Sequence, residues 1–228
     1  MKLLAFDTSN QALSLAILED EHLLAQTTLN IKKNHSITLM PAIDFLMNSL
    51  DMKPTDLDRI AVAQGPGSYT GLRIAVATAK TLAHTLKIEL VGVSSLLALV
   101  PEQVEGLVIP IMDARRNNVY AGFYQSGQAV RPEAHLPLAE VLEMASAANQ
   151  SVTFVGETAT FAEQIEVALP QAAIQSTLPD AATIARLGLD LPAQSIHDFV
   201  PNYLKRVEAE ENWLKTHQES SDSYIQRL

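Results

Sequence analysis

"KLLAFDTSNQALSLAILEDEHLLA", residues 2–25, can be laid over "LVIPIMDARRNNVYAGFYQSGQAV", residues 107–130, with Asp113 on Asp7. In both copies an apolar strand ends in Asp, a short polar turn follows, and an apolar-rich strand returns. Further on, "VTFVGETATFAEQIEVAL" (152–169) echoes "IAVAQGPGSYTGLRIAVATA" (60–79) as strand, glycine-containing turn and helix. One such match is weak; two in the same order argue for duplication. Read twice as strand-strand-strand-helix-strand-helix, the chain is expected to be α/β, with two lobes that each carry a mixed sheet faced by helices. The expected units are an N-terminal lobe over 1–98, a C-terminal lobe over 99–205, and a charged helix and tail over 206–228.

Composition narrows the function classes. Apolar residues make up 47% of the 228 positions, enough for a packed core, and aromatics only 5%. Cysteine is absent, which excludes disulfides, thiolate metal sites and cysteine nucleophiles. "MKLLAFDTS" is too short an apolar run for a signal peptide, and no segment approaches the ~20 apolar residues of a membrane span. A soluble, cytoplasmic protein is expected. Sixteen basic residues against 26 acidic give a net charge of −10. A chain that gripped nucleic acid alone would show a basic stripe, since phosphate neutralisation supplies most of the affinity. Any contact with nucleic acid is therefore expected through a partner.

"GPGSYTGLR", Gly65 to Arg73, follows a strand and opens a helix, the setting of many phosphate loops. It lacks the lysine of G-x-x-x-x-G-K-[ST], and the spacing of Gly65, Gly67 and Gly71 does not fit G-x-G-x-x-G. Pro66 also removes one N–H that an anion site needs. A structural loop is favoured: Gly65 and Gly67 permit a sharp turn, and Ser68 or Thr70 caps the helix.

Asp7 and Asp113 each end a strand, and duplication puts both at the cleft between lobes. There they either hold Mg²⁺ with a nucleotide, act as a general base, or simply fasten their own turns through Asx-type bonds. The residues leave these readings open. His35 precedes a helix, but Leu39, four residues on, cannot ligate, and the other histidines show no ligand spacing. The serine-hydrolase motif G-x-S-x-G is absent.

Two helices carry more information. Over Ser36–Leu50, a core stripe is expected from Leu39, Met40, Ile43, Leu46, Met47 and Leu50. Ile37, Pro41 and Phe45 form a second apolar ridge at i, i+4, i+8, where a monomer would usually be polar; such a ridge suggests a partner surface. Over Gly71–Leu86, Leu72, Ala75, Val76, Ala79, Leu82, Ala83 and Leu86 make the expected core face, leaving Arg73, Ala77, Lys80 and His84, flanked by Ile74, Thr78 and Thr81, on the other side. The small residues there let another helix approach.

"LLAFDTS", "HSITLMP", "GPGSYTGLR", "VGVSSL", "MDARRNNVY" and "PNYLK" stand in the order found in the TsaB (YeaZ) family, which the chain resembles from about Lys2 to Lys205. The resemblance implies the actin-like, sugar-kinase-like and Hsp70-like ATPase fold. It also implies a part in making threonylcarbamoyladenosine beside the tRNA anticodon. In that system another enzyme makes threonylcarbamoyl-adenylate, TsaD transfers the group to tRNA, and TsaE supplies ATPase activity. TsaB is the non-catalytic partner of TsaD and also self-associates, forming a homodimer. The helices after "HS" and "GPGSYTG" make its interface, which here implies Ile37, Pro41, Phe45, Arg73, Ile74, Ala77 and Lys80. TsaD's paired metal histidines correspond to "HSITLMP", where Leu39 and Met40 follow His35, so no metal is expected. "FVPNYLK" stands where a glycine-rich adenine signature would be, so no cofactor is expected, and Asp7 and Asp113 become relics of a cleft. Two other functions compete with this one: a small-molecule kinase or ATPase of the same fold with Asp113 as base, and, more weakly, a peptidase.

Overall fold

The structure is a computed structural model that describes residues 1–31, 34–101 and 103–205. The expected charged helix and tail over 206–228 lie outside the described residues. The first half runs β1 (Lys2–Asp7), β2 (Leu13–Glu19), β3 (His22–Leu29), α1 (His35–Asn48), β4 (Arg59–Gly65), α2 (Tyr69–Leu86) and β5 (Glu89–Ser94). The second runs β6 (Leu107–Asp113), β7 (Asn118–Gln125), β8 (Gln128–Pro137), α3 (Leu138–Ser146), β9 (Val152–Gly156), α4 (Ala162–Ala168) and β10 (Ala173–Ser176), and α5 (Ala181–Asp190) follows. The sheet orders are β3-β2-β1-β4-β5 and β8-β7-β6-β9-β10, the same path twice. In each sheet the first three strands of the half pair antiparallel and the later ones parallel. The duplication and the α/β two-lobed class read from the sequence are thus both present, and α3 and α4 occupy the places of α1 and α2.

Local chemistry sets the turns. Asp20 takes a left-handed φ of 52° in the β2–β3 turn, a conformation that Asp tolerates better than most side chains. Asn34 caps α1 by accepting from Ser36 N, and Asp180 caps α5 by accepting from Ala182 N. Pro41 sits inside α1 and cannot donate to the Ile37 carbonyl, but Ile37 and Pro41 are both on the exposed side of the helix, where a missing backbone bond costs least.

One face of the first sheet packs under α1 and α2 in a core that includes Leu4, Phe6, Leu15, Leu39, Ile43 and Val62. The expected core stripe of α1 needs one correction. Met40 is 47% exposed and turned away from the sheet, because α1 contacts it over a narrow arc centred on Leu39, Ile43, Leu46 and Met47.

The other face is covered by α5, through Ala181, Ala182, Ile184 and Ala185. Arg59 fastens the end of that helix, donating to the carbonyls of Gly188, Leu189 and Leu191 and pairing with Glu89. Part of the expected second unit therefore completes the first sheet.

The second sheet has α3 and α4 on one face; on the other, the linker residues Leu96, Leu99 and Val100 pack on Val108, Met112 and Val155. A polar clasp joins the lobes there. The hydroxyls of Ser94 and Tyr124 both donate to Glu133 Oε1, while Ser94 Oγ accepts from Leu96 N and Leu97 N at 3.1 Å each.

Candidate partner face and interlobe cleft

The glycine loop is built around contact with the β1–β2 turn. Ser68 N donates to Ser9 O at 2.6 Å and Thr8 Oγ1 to Gly71 O at 2.7 Å. Gly67 has φ of 152°, and a Cβ there would lie 2.8 Å from Ser9 Cβ. On Gly71 a Cβ would overlap the Thr8 carbonyl oxygen. Gly65, in the preceding strand, passes its carbonyl to Ser95 N at 2.9 Å. Ser68 is the N-cap of α2, accepting from Gly71 N at 3.4 Å. The loop is thus tied by Ser68 N and the Gly65 and Gly71 carbonyls to neighbouring segments, and it fixes where α2 begins.

On α1, Ile37 and Phe45 are 68% and 66% exposed, and Pro41 between them is exposed too. Met40 extends this apolar face, a contribution that the assumed core stripe hid. Along α2, Arg73 and Ala77 are exposed, while Ile74 is half-buried against the core. The Arg73 guanidinium lies 5.4 Å from the Tyr69 ring centre, within cation–π range. Lys80 is occupied inside the chain: its Nζ donates to the carbonyls of His197 and Phe199 at 2.9 Å each.

Between the lobes lies a cleft of about 750 Å³, lined by Ser68 and Tyr69 on one side and by Asp113, Arg115, Glu157 and Thr160 on the other. Asp113 lines it, but both its oxygens are engaged by its own turn, by Arg115 N at 2.7 Å and the Arg115 guanidinium at 3.0 Å. Three successive residues of that turn, Arg115, Arg116 and Asn117, have φ between 55° and 68°.

Asp7 is fully buried and absent from the lining. Its Oδ1 accepts from Ser9 N, and its Oδ2 has no hydrogen-bond partner among the described residues. Burial pushes the Asp7 carboxyl up to about 6; the Ser9 N–H and His35 pull it down, and Glu157 adds to the rise.

Glu157 went unread in the sequence, since its neighbour Asp113 is distant along the chain. Its Oε2 accepts from Asp113 N at 2.8 Å; burial raises its carboxyl, that N–H bond opposes the rise, the Asp113 charge adds to it and Arg115 opposes it. His35 donates from Nε2 to the Asn10 carbonyl at 2.8 Å, the carbonyl being able only to accept. Among the described residues no three His, Asp or Glu side chains gather in a way that could hold a metal ion. Nor is any described helix long and apolar enough to cross a membrane.

Comparison with known proteins agrees with the sequence motifs. The family model described as "TsaD: tRNA N6-adenosine threonylcarbamoyltransferase" matches residues 22–213. The TsaB protein of Bacillus subtilis, a tRNA threonylcarbamoyladenosine biosynthesis protein, is 42% identical over 227 residues, covering 95% of this chain and 99% of the relative. Its Escherichia coli counterpart is 30% identical over 129 residues, 55% of each chain. A solved Pseudomonas aeruginosa structure, described as similar to the peptidase YeaZ, superposes with a TM-score of 0.78 at 30% identity, covering 90% of this chain and 99% of that one. A family model matched over most of the length and a near-full-length relative together carry the assignment: the chain belongs to the TsaB (YeaZ) family of tRNA threonylcarbamoyladenosine biosynthesis proteins.

Proposed function

We propose that the chain is a non-catalytic scaffold subunit, required for threonylcarbamoyl transfer to the adenosine beside the tRNA anticodon. It acts by binding TsaD, and TsaE joins through the complex. The same face pairs with a second copy in a homodimer, and tRNA is met only indirectly. The observation that carries this reading is the exposed apolar ridge of Ile37, Pro41 and Phe45 on a helix whose other side is already buried. Arg73, Ile74, Ala77 and Lys80 belong to the adjoining part of the contact region. The cleft supports the same reading. Of the two aspartates only Asp113 lines it, with both oxygens held by Arg115, and Asp7 is buried out of reach, so this pair does not fit a Mg²⁺-nucleotide and both are read as relics.

Substituting Phe45 with Asp puts a charge at the C-terminal end of the ridge without touching the core. Titration calorimetry against TsaD is expected to show affinity more than tenfold weaker, with unfolding free energy within about 0.5 kcal/mol of the parent. An unchanged affinity removes the surface assignment. The 750 Å³ cleft keeps one alternative in view, an ATP-dependent kinase or ATPase of the same fold. Tight Mg·ATP binding by the isolated chain would favour it.

A further inference from the structure

Ser94 ends β5 in the first lobe, and its hydroxyl is aimed by its own chain. The oxygen accepts from Leu96 N and Leu97 N, which uses both lone pairs and leaves its proton to donate to Glu133. Glu133 stands in the second lobe at a bulge: from Ala121↔Ala134 to Phe123↔Arg131, β8 spends one residue more than β7. Bulges re-aim side chains out of a strand's alternation. Tyr124 donates to the same Glu133 oxygen. Its ring has room because residue 122 is glycine, where a Cβ would lie 2.5 Å from Tyr124 Cε2.

The chain passes between the lobes twice. After β5, the Leu97–Leu99 turn lies between them, with Ala98 in the first-lobe core and Leu96, Leu99 and Val100 in the second-lobe cluster. On the return, Thr177 is held to Gly156 of β9, its N–H donating to that carbonyl at 3.1 Å and its hydroxyl accepting from that N–H at 2.9 Å. Asp180 is held to Gln26 of β3 at 2.6 Å, so Leu178 and Pro179 span the two anchors. Apolar contacts such as those of the first crossing are non-directional and tolerate sliding, whereas a hydrogen bond to a carboxylate fixes a direction.

We infer that the Ser94–Glu133 hydrogen bond is a latch that holds the lobes at one opening against hinge movement about the two crossings, with Tyr124 as the positioning residue of Glu133. The latch is independent of what binds at α1 and α2. Its consequence falls on the cleft, because Met112 and Tyr120 line the cleft and pack in or against the apolar cluster that holds Tyr124. Release of the latch lets the cleft walls separate.

The test reads the opening directly. The chain has no cysteine, so Thr70→Cys and Glu163→Cys place two spin labels and no others. Both sites are exposed, Thr70 beside Tyr69 on one side of the cleft and Glu163 on α4, just after Thr160 on the other. Double electron–electron resonance on the doubly labelled chain is expected to give one narrow distance distribution. Ser94→Ala and Glu133→Ala are each expected to raise a second, displaced population about tenfold, the loss of one hydrogen bond to a charged group. Combining them is expected to match either one alone, because both remove the same bond. Tyr124→Phe keeps the ring in its cluster and is expected to raise that population about threefold. If Glu133→Ala does not fold, Ser94→Ala carries the test alone. A broad distribution before any clasp substitution, an unchanged one in Ser94→Ala, or additive effects of the two alanine substitutions would overturn the latch. An unchanged distribution in Tyr124→Phe alone would remove its positioning role.

Discussion

Gly71→Ala is expected to destabilise the chain by at least about 3 kcal/mol, because the added methyl overlaps a backbone atom that cannot retreat. The atom is the carbonyl oxygen of Thr8, in the turn that joins the first two strands. Thr8 is fully buried and its hydroxyl is bonded to the Gly71 carbonyl, while Ser68 N holds Ser9 O. Relief therefore requires α2 to lift from the end of β1, which loosens the cap at Ser68 and the core under Leu72 and Ala75. Gly127→Ala is the matched control. Gly127 has φ of 74° but nothing within 4 Å of a new Cβ, so only the conformational penalty of about 1 kcal/mol applies. Urea unfolding measures both: the Gly71 variant is expected to show a much lower midpoint with unchanged slope. Equal shifts for the two variants would contradict the close-approach account.

The second large effect is a pH dependence carried by Asp7. Its carboxyl is raised from an ordinary 3.8 to about 6 by burial. Between about pH 4 and 6 the folded chain therefore keeps a proton that the unfolded chain has lost, and raising the pH through this window erodes stability. The shift integrates to about 3 kcal/mol, fully felt above pH 6 and absent below pH 4. Glu157, raised in the same direction, adds to the slope. An Asn at position 7 still accepts from Ser9 N through its oxygen and has no charge to bury. Going from pH 4 to pH 7.5, Asp7→Asn is expected to gain about 2–3 kcal/mol relative to the parent. Denaturant titrations at the two pH values give the comparison. Parallel losses in both proteins would show that the Asp7 carboxyl is not buried at its ordinary cost.

Much of the fold was legible because the two halves repeat a signal that survives divergence: an apolar strand ended by Asp7 or Asp113, then a polar turn. The paired topology followed from that repeat. Helix α5 did not announce itself, since the face it buries is Ala181, Ala182, Ala185 and Gly188 around a single Ile184, too small a hydrophobic signal to separate from loop. Asp180, which caps it, was the available clue. Met40 was misassigned because apolar residues encircle α1, and periodicity cannot choose between a buried arc and an exposed one when both are greasy.

The site was legible in the same uneven way. Ile37, Pro41 and Phe45 share a face at helical spacing and are exposed. The engagement of Lys80 rests on the His197 and Phe199 carbonyls, more than a hundred residues away, and no local pattern encodes it.

The most direct measurement of the scaffold proposal is the yield of threonylcarbamoyladenosine in tRNA. The mixture contains ATP, threonine, bicarbonate, tRNA, the adenylate-forming enzyme, TsaD and TsaE, with and without this chain. Modified tRNA is expected only when the chain is present, and Asp113→Ala is expected to leave the yield intact. Equal yield without the chain would contradict the proposal, and loss of yield in Asp113→Ala would move the chemistry back into the cleft.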